Sequence, residues 1–282
     1  MTLDEQAVLD RATQTKRGSI MQKEYSVNDV VIRCEGVSKR YAVGNETATV
    51  SAWRKAANVM LCLPMNYSPG GKLEEVWALR DITFHAKCGE TIGIIGPNGG
   101  GKSTLLRILA KLDYPTGGDV VTVGRTNYVL ETPNLFRVNC GKLATGRDNV
   151  VRAGKAVEMK KREIEAKVKE IAEFAGLEPF MDIPVNHYSC GMAMRLEFAI
   201  ATHFPCDILL VDDKLEACDP EFRRKCIYKM ESLSRDGATV IFASHNMQTV
   251  ERLCRLCIVI RNGRIAFIGS TARAIKDTRG LE

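Results

Sequence analysis

One glycine-rich stretch constrains the fold of this chain more than any other. It reads Gly96-Pro97-Asn98-Gly99-Gly100-Gly101-Lys102-Ser103-Thr104 and lies between apolar runs at 91–95 and 105–110. A strand, a tight turn and a helix in this order form a phosphate-binding loop, G-x-x-x-x-G-K-S. The glycines let backbone N–H groups converge on phosphate oxygens, and the start of the helix adds partial positive charge. We therefore predict that this loop binds nucleotide phosphates, with Lys102 on the outer phosphates and Ser103 on Mg²⁺.

The composition is that of an ordinary globular protein, with 282 residues, 45% hydrophobic and 26% charged. No uninterrupted apolar run approaches the roughly 20 residues that span a bilayer, and the N-terminus lacks the features of a secretory signal. We therefore expect the protein to stay in the cytosol. The ten cysteines are scattered, which favours free thiols over a zinc site or disulfides. The net charge of +6 is mild, so nucleic acid is not expected as a partner.

Hydrophobic patterning predicts strands that alternate with helices, which is typical of an α/β fold. Runs with strand character occur at 30–34, 37–41, 76–84, 91–95, 120–123, 127–130, 207–211, 239–243 and 257–260. Three of them, 207–211, 239–243 and 257–260, read as apolar runs of the kind expected for strands buried on both faces of a parallel sheet. A helix is predicted over 157–175, where apolar residues recur at helical spacing. Residues 42–75 form a long insertion for which we expect a function.

Polar residues that follow later segments complete the predicted site. Asp212 ends an apolar strand, where its carboxylate would hold Mg²⁺ through water while Ser103 binds the ion directly. Asp213 comes next, where a base would orient the attacking water. Ser189 precedes an apolar helix whose N-terminus would form a second anion-binding end. His245 follows another apolar strand, and its neutral imidazole would donate a hydrogen bond to the γ-phosphate.

The order of these segments resembles that of the ATP-binding cassette (ABC) ATPases. They are the phosphate-binding loop, a signature at 188–192 before a helix, the acidic end of a strand at Asp212, and His245. The resemblance covers about residues 29–270, between a tail at 1–28 and a short C-terminal tail at 271–282. It implies an α/β P-loop NTPase core of ABC type, with an antiparallel β subdomain and a helical signature subdomain at about 135–205.

The same resemblance assigns roles to single residues. It implies that Tyr41 stacks on adenine, that Asp219 belongs to the D-loop, and that Glu131 occupies the place of a glutamine that senses magnesium. The implied catalytic residues are Asp213, His245 and Glu131, and the implied magnesium ligands are Ser103 and, through water, Asp212. The implied nucleotide-binding residues are Tyr41, Gly96, Pro97, Asn98, Gly99, Gly100, Gly101, Lys102, Ser103, Thr104, Ser189, Gly191 and Asp219.

Within that family, the chain is similar to ATPase subunits of bacterial exporters for O-antigen, capsule or teichoic acid. The signature reads Tyr-Ser-Cys-Gly-Met at 188–192, and segments 77–81, 145–149 and 219–225 also resemble this subfamily. The resemblance implies an ATPase that uses ATP and Mg²⁺ to drive export of a lipid-linked polysaccharide. It implies a second copy in a head-to-tail dimer and a separate transmembrane permease as partners, at the cytoplasmic face of the inner membrane.

One position leaves the rate of hydrolysis open. Asp213 stands where the family has a catalytic glutamate, and an aspartate is one methylene shorter. A misplacement of about 1 Å costs on the order of 100-fold in rate. This position suggests a weakly hydrolysing regulatory subunit as an alternative. A non-transport ABC ATPase and an exporter of a different substrate are further alternatives. The sequence does not specify the exported substrate.

Overall fold

The structure is a computed structural model that describes residues 29–43, 74–129, 144–212, 215 and 218–279. The strands are β1 Val30–Val43, β2 Glu74–Lys87, β3 Thr91–Ile95, β4 Gly117–Thr122, β5 Thr126–Val129, β6 Ile208–Val211, β7 Thr239–Ala243, β8 Leu256–Arg261 and β9 Arg264–Ser270. The α-helices are α1 Lys102–Leu109, α2 Gly146–Ala156, α3 Lys161–Ala175, α4 Cys190–His203, α5 Pro220–Arg235, α6 Met247–Leu253 and α7 Thr271–Arg279. Short 3-10 helices lie at Glu178–Phe180 and Val185–His187.

The strands form two sheets. The smaller sheet is antiparallel in the order β2-β1-β4, and the larger has the order β5-β6-β7-β3-β8-β9. The larger sheet is parallel from β5 to β8, and β9 is added antiparallel at its edge. Strands β6 and β7 are buried along their whole length, as continuously apolar segments in a parallel sheet should be. The predicted α/β class with an antiparallel subdomain is confirmed.

The register of the parallel sheet brings three loops to one edge. Ile94 of β3 pairs with Ala243 of β7, and Val211 of β6 pairs with Phe242 of β7. The carboxyl ends of β3, β7 and β6 are therefore neighbours, and the chain leaves all three in the same direction. Ligands of open α/β sheets bind at this edge, so the glycine-rich loop after β3 stands where a nucleotide is expected.

Helices α2, α3 and α4 share a core of their own, which includes Val150, Ile171 and Leu196. The predicted helical spacing in α3 is confirmed, since the recurring apolar residues Ile164, Val168, Ile171 and Ala175 are all buried. The prediction that this helix begins at residue 157 is wrong. Glu158 has a left-handed backbone with φ of 57°, which separates α2 from α3. The helical segment lies within the subdomain that we place at about 135–205, whose limits stay a prediction.

Residues that we assigned to a short C-terminal tail form α7. Thr271, Ala274 and Ile275 of this helix are buried. The Thr271 hydroxyl donates a hydrogen bond of 2.6 Å to the carbonyl oxygen of Cys254, which joins α7 to the segment before β8. Within the described part of the chain, no helix has the length and apolar character needed to cross a membrane. The insertion predicted at 42–75 falls largely outside the described residues, as does the tail at 1–28.

Candidate functional site

The glycine-rich loop lies against strands β2 and β8, and its tip is exposed. Gly101 precedes α1 with φ of 108°, and a side chain there would meet the carbonyl oxygen of Ala78 on β2 at 2.5 Å. Pro97, Asn98 and Gly99 are exposed. Among the described residues, no side chain caps the start of α1, and the first turn of this helix carries no acidic residue. The N–H groups at this helix start thus fit an anion such as a nucleotide phosphate.

Lys102 brings its positive charge into this loop. The Lys102 Nζ atom donates hydrogen bonds to the carbonyl oxygens of Gly96 at 2.8 Å and Pro97 at 3.0 Å. The residue as a whole is buried, with 7% of its surface exposed. A buried ammonium group that is held by two carbonyls attracts an incoming anion strongly, because its surroundings screen its charge less than water does.

Asp212 and His245 lie at the same edge of the sheet as the loop. Asp212 follows β6, is 2% exposed, and donates its N–H to the carbonyl oxygen of Val129 at 2.9 Å. Ser244 follows β7, is buried, and donates its N–H to the carbonyl oxygen of Ile94 at 3.2 Å. His245 comes next and is exposed. The structure thus places the glycine-rich loop, Asp212 and His245 at one edge of the sheet. Asp213 and Glu131 lie outside the described residues.

The signature residues begin helix α4. The Ser189 side chain accepts a hydrogen bond of 3.2 Å from the N–H of Met192, which makes Ser189 the N-cap of this helix, and Gly191 lies in its first turn. Ser189 and Cys190 are both exposed. A capped and exposed helix start of this kind is accessible to an anion carried by another molecule.

Asp219 caps helix α5 and is tied to the signature helix. Its Oδ1 accepts a hydrogen bond of 2.9 Å from the N–H of Phe222, and its Oδ2 pairs with the guanidinium of Arg195 on α4. That guanidinium also lies 5.4 Å from the centre of the Phe222 ring. The hydrogen bond from Phe222 and the charge of Arg195 hold the pKa of Asp219 below its usual range. Sequence reasoning missed Arg195, although an arginine six residues after the signature serine was a visible signal.

Tyr41 lies beside the helix that follows the loop. Its hydroxyl donates a hydrogen bond of 2.8 Å to Oδ2 of Asp113, in the loop that follows α1. Burial, with help from Asp113, raises the pKa of Tyr41 to about 12, so the phenol is neutral near pH 7. The Lys39 ammonium lies 5.0 Å from the centre of the Tyr41 ring. Sequence reasoning missed Lys39 and Asp113, although Lys39 is two residues from Tyr41 on the same strand.

A parallel sheet with a glycine-rich loop, a buried lysine and an aspartate at a nearby strand end defines a P-loop nucleotide-binding domain. A family model described as ABC transporter matches residues 79–216. The chain is 37% identical over 199 residues to the O-antigen export system ATP-binding protein RfbB of Klebsiella pneumoniae, which covers 71% of this chain and 79% of that protein. The chain belongs to the ABC transporter family.

Two further relatives are longer than the region they share with this chain. The O-antigen export system ATP-binding protein RfbB of Myxococcus xanthus is 38% identical over 204 residues, which is 72% of this chain and 46% of that protein. The teichoic acids export ATP-binding protein TagH of Listeria innocua serovar 6a is 37% identical over 198 residues, 70% of this chain and 58% of that protein. This chain therefore spans about half the length of these two relatives.

Solved structures share the fold. The dimeric post-hydrolysis structure of the ATP-binding cassette MJ0796, bound to ADP and Pi, superposes with a TM-score of 0.67 at 22% identity. The match covers 85% of this chain and 98% of that one. At this level of identity the comparison establishes the architecture of the cassette.

Proposed function

We propose that this chain is the ATP-binding and ATP-hydrolysing subunit of an exporter that moves a lipid-linked polysaccharide across the inner membrane. The observation that carries the proposal is the buried Lys102 ammonium inside a glycine-rich loop, at the same sheet edge as Asp212. The substrate class is supported by the relatives, which are named for export of O-antigen and teichoic acids.

The residues of the site fit Mg²⁺ and the phosphates of ATP. The N–H groups at the start of α1 and the Lys102 ammonium bind the phosphates. Ser103 offers a half-buried hydroxyl and Asp212 a buried carboxylate, and both are oxygen ligands of the type that Mg²⁺ prefers. When bound, Mg²⁺ neutralises charge on the phosphates. We assign Asp213 to orienting the attacking water, His245 to the γ-phosphate, and Glu131 to sensing the metal.

A second copy completes the site in this proposal. Ser189 and Gly191 lie at the exposed start of α4, and this helix start would meet the ATP that is held by Lys102 of the other copy. The solved structures of the MJ0796 cassette, which are described as dimeric, support the formation of a dimer. We further propose that the dimer docks on a separate transmembrane permease at the cytoplasmic face of the membrane.

Copurification of the chain with a membrane permease from the same cells tests this function. We expect ATP hydrolysis that requires Mg²⁺, rises in the presence of the permease, and disappears in the Lys102→Ala variant. Turnover that stays negligible with the permease present would favour the regulatory alternative. Consistent recovery with ribosomes, and not with a permease, would favour a non-transport ABC ATPase.

Modification of Cys190 provides a separate test of the dimer. Cys190 is the exposed cysteine among those that the structure describes, whereas burial raises the pKa of the Cys206 and Cys218 thiols to about 11 each. At pH 8, only about one in a thousand of these two thiols is ionised, so they react slowly. We expect N-ethylmaleimide to modify Cys190 first among the described cysteines and to block ATP-dependent dimerisation, measured by light scattering. The Cys190→Ser variant should dimerise in the presence of the reagent, and an alkylated wild type that still dimerises would contradict the prediction.

A further inference from the structure

The side chains of Lys39, Tyr41 and Asp113 form a hydrogen-bonded cluster that we call the Tyr41 cluster. The Lys39 Nζ atom donates hydrogen bonds to Oδ1 of Asp113 at 2.6 Å and to the carbonyl oxygen of Tyr114 at 2.7 Å. Oδ2 of Asp113 accepts the hydroxyl of Tyr41 at 2.8 Å. The cluster therefore joins strand β1 to the loop that follows α1.

The ion pair of this cluster is largely removed from water. The side chains of Lys39 and Asp113 are 11% and 18% exposed. Lysine is almost never buried unless it is paired, because its charge loses hydration. Here the ammonium has two hydrogen-bond acceptors and the face of an aromatic ring, which is an additional favourable contact for a cation. Such a satisfied network holds its members in one arrangement.

Tyr41 is fixed in this network at both its hydroxyl and its ring. The hydroxyl donates a hydrogen bond to Oδ2 of Asp113, which lies in the loop that follows α1. The Lys39 ammonium lies over the ring, 5.0 Å from its centre. A purine that stacks on this ring must therefore approach the face opposite Lys39.

We propose that Lys39 and Asp113 are positioning residues that orient Tyr41, so that the ring face opposite Lys39 receives the base of the nucleotide. This inference rests on the proposed function, in which ATP binds with its phosphates at the loop. Tyr41 contacts the base through its ring face and not through its hydroxyl, because the hydroxyl already donates to Asp113. Stacking on an aromatic ring tolerates any base.

The experiment compares a ligand that has a base with one that has none. Binding of ATP and of tripolyphosphate to the full chain is measured by calorimetry for wild type, Lys39→Met and Asp113→Asn. Misplacing the ring forfeits most of a stacking contact, so we expect both variants to bind ATP about tenfold more weakly. Their affinity for tripolyphosphate should change by less than about twofold. Lys155→Met removes an equal charge from the exposed surface of α2 and should leave both affinities unchanged.

A second set of variants keeps the test valid if loss of the buried ion pair disturbs folding. Tyr41→Phe leaves Lys39 and Asp113 paired and removes only the anchored hydroxyl, and we expect ATP to bind about threefold more weakly. In a Tyr41→Ala background, Lys39→Met should cause no further loss of ATP affinity, because the residue acts through the ring. In the otherwise wild-type chain, Lys39→Arg should keep most of the ATP affinity that Lys39→Met loses, since arginine places a cation at the same position.

Three results would overturn the inference while leaving the proposed function intact. They are an equal loss for tripolyphosphate, an undiminished effect of Lys39→Met in the Tyr41→Ala background, and wild-type ATP affinity in Tyr41→Phe. A wild-type chain that does not bind ATP, or a Lys102→Ala chain that binds it normally, would instead reject the proposed function.

Discussion

Replacing Lys102 by alanine is expected to weaken ATP binding by about 30-fold to several thousand-fold. The ammonium group is buried and held by the carbonyl oxygens of Gly96 and Pro97, so its charge is concentrated inside the loop. Removal of one partner from a desolvated charge pair costs about 2–5 kcal/mol of binding free energy. Calorimetric titration with Mg²⁺-ATP measures the change directly.

The same substitution should disturb the fold much less than the binding. Two carbonyl oxygens lose a donor, which costs about 1–2 kcal/mol in the free energy of unfolding, because water replaces part of the interaction. Lys111→Gln is the matched control, since Lys111 is an exposed lysine just beyond the other end of α1. This control should bind ATP as wild type does. Equal losses of ATP affinity in the two variants would show that the effect comes from the lower net charge and not from the position of Lys102 in the loop.

Replacing Gly96 by alanine is expected to destabilise the protein by about 2–6 kcal/mol and to abolish nucleotide binding. A β-carbon at Gly96 would lie 2.0 Å from the carbonyl oxygen of Ile260, which belongs to β8 and is fully buried. Overpacking of this kind costs about 1–3 kcal/mol, and the positive φ of 145° adds about 1–3 kcal/mol of backbone strain. Urea denaturation and ATP titration measure the two effects.

Gly99→Ala separates the steric contribution from the backbone contribution. Gly99 also has a positive φ, of 75°, but no described atom lies within 4 Å of the position its β-carbon would take. We therefore expect only the left-handed strain of about 1–2 kcal/mol in the free energy of unfolding. If Gly96→Ala and Gly99→Ala were equally destabilising, contact between the loop and Ile260 would not explain why glycine is required at Gly96.

The parts of the site that could be read from sequence are those encoded by neighbouring residues. The loop from 96 to 104 is one contiguous segment between an apolar strand and a helix, and the local order of these elements defines it. The strands that end at Val211 and Ala243 are continuously apolar, which marks them as buried. Edge strand β9 and helix α7 were not predicted, although β9 contains a short apolar run at 265–268.

The sequence by itself determined that this chain has a phosphate-binding loop in an α/β fold, because glycine spacing and apolar runs act over a few residues. Only the tertiary structure decided which distant side chains meet. Lys39 and Asp113 are 74 positions apart, and Arg195 and Asp219 are 24 apart, yet each pair is in contact. The spacing of apolar residues indicates which face of a helix or strand is buried. Strand order and register in the sheet determine which residue that face contacts. The Tyr41 cluster is therefore a product of the packing of β1 against the loop after α1.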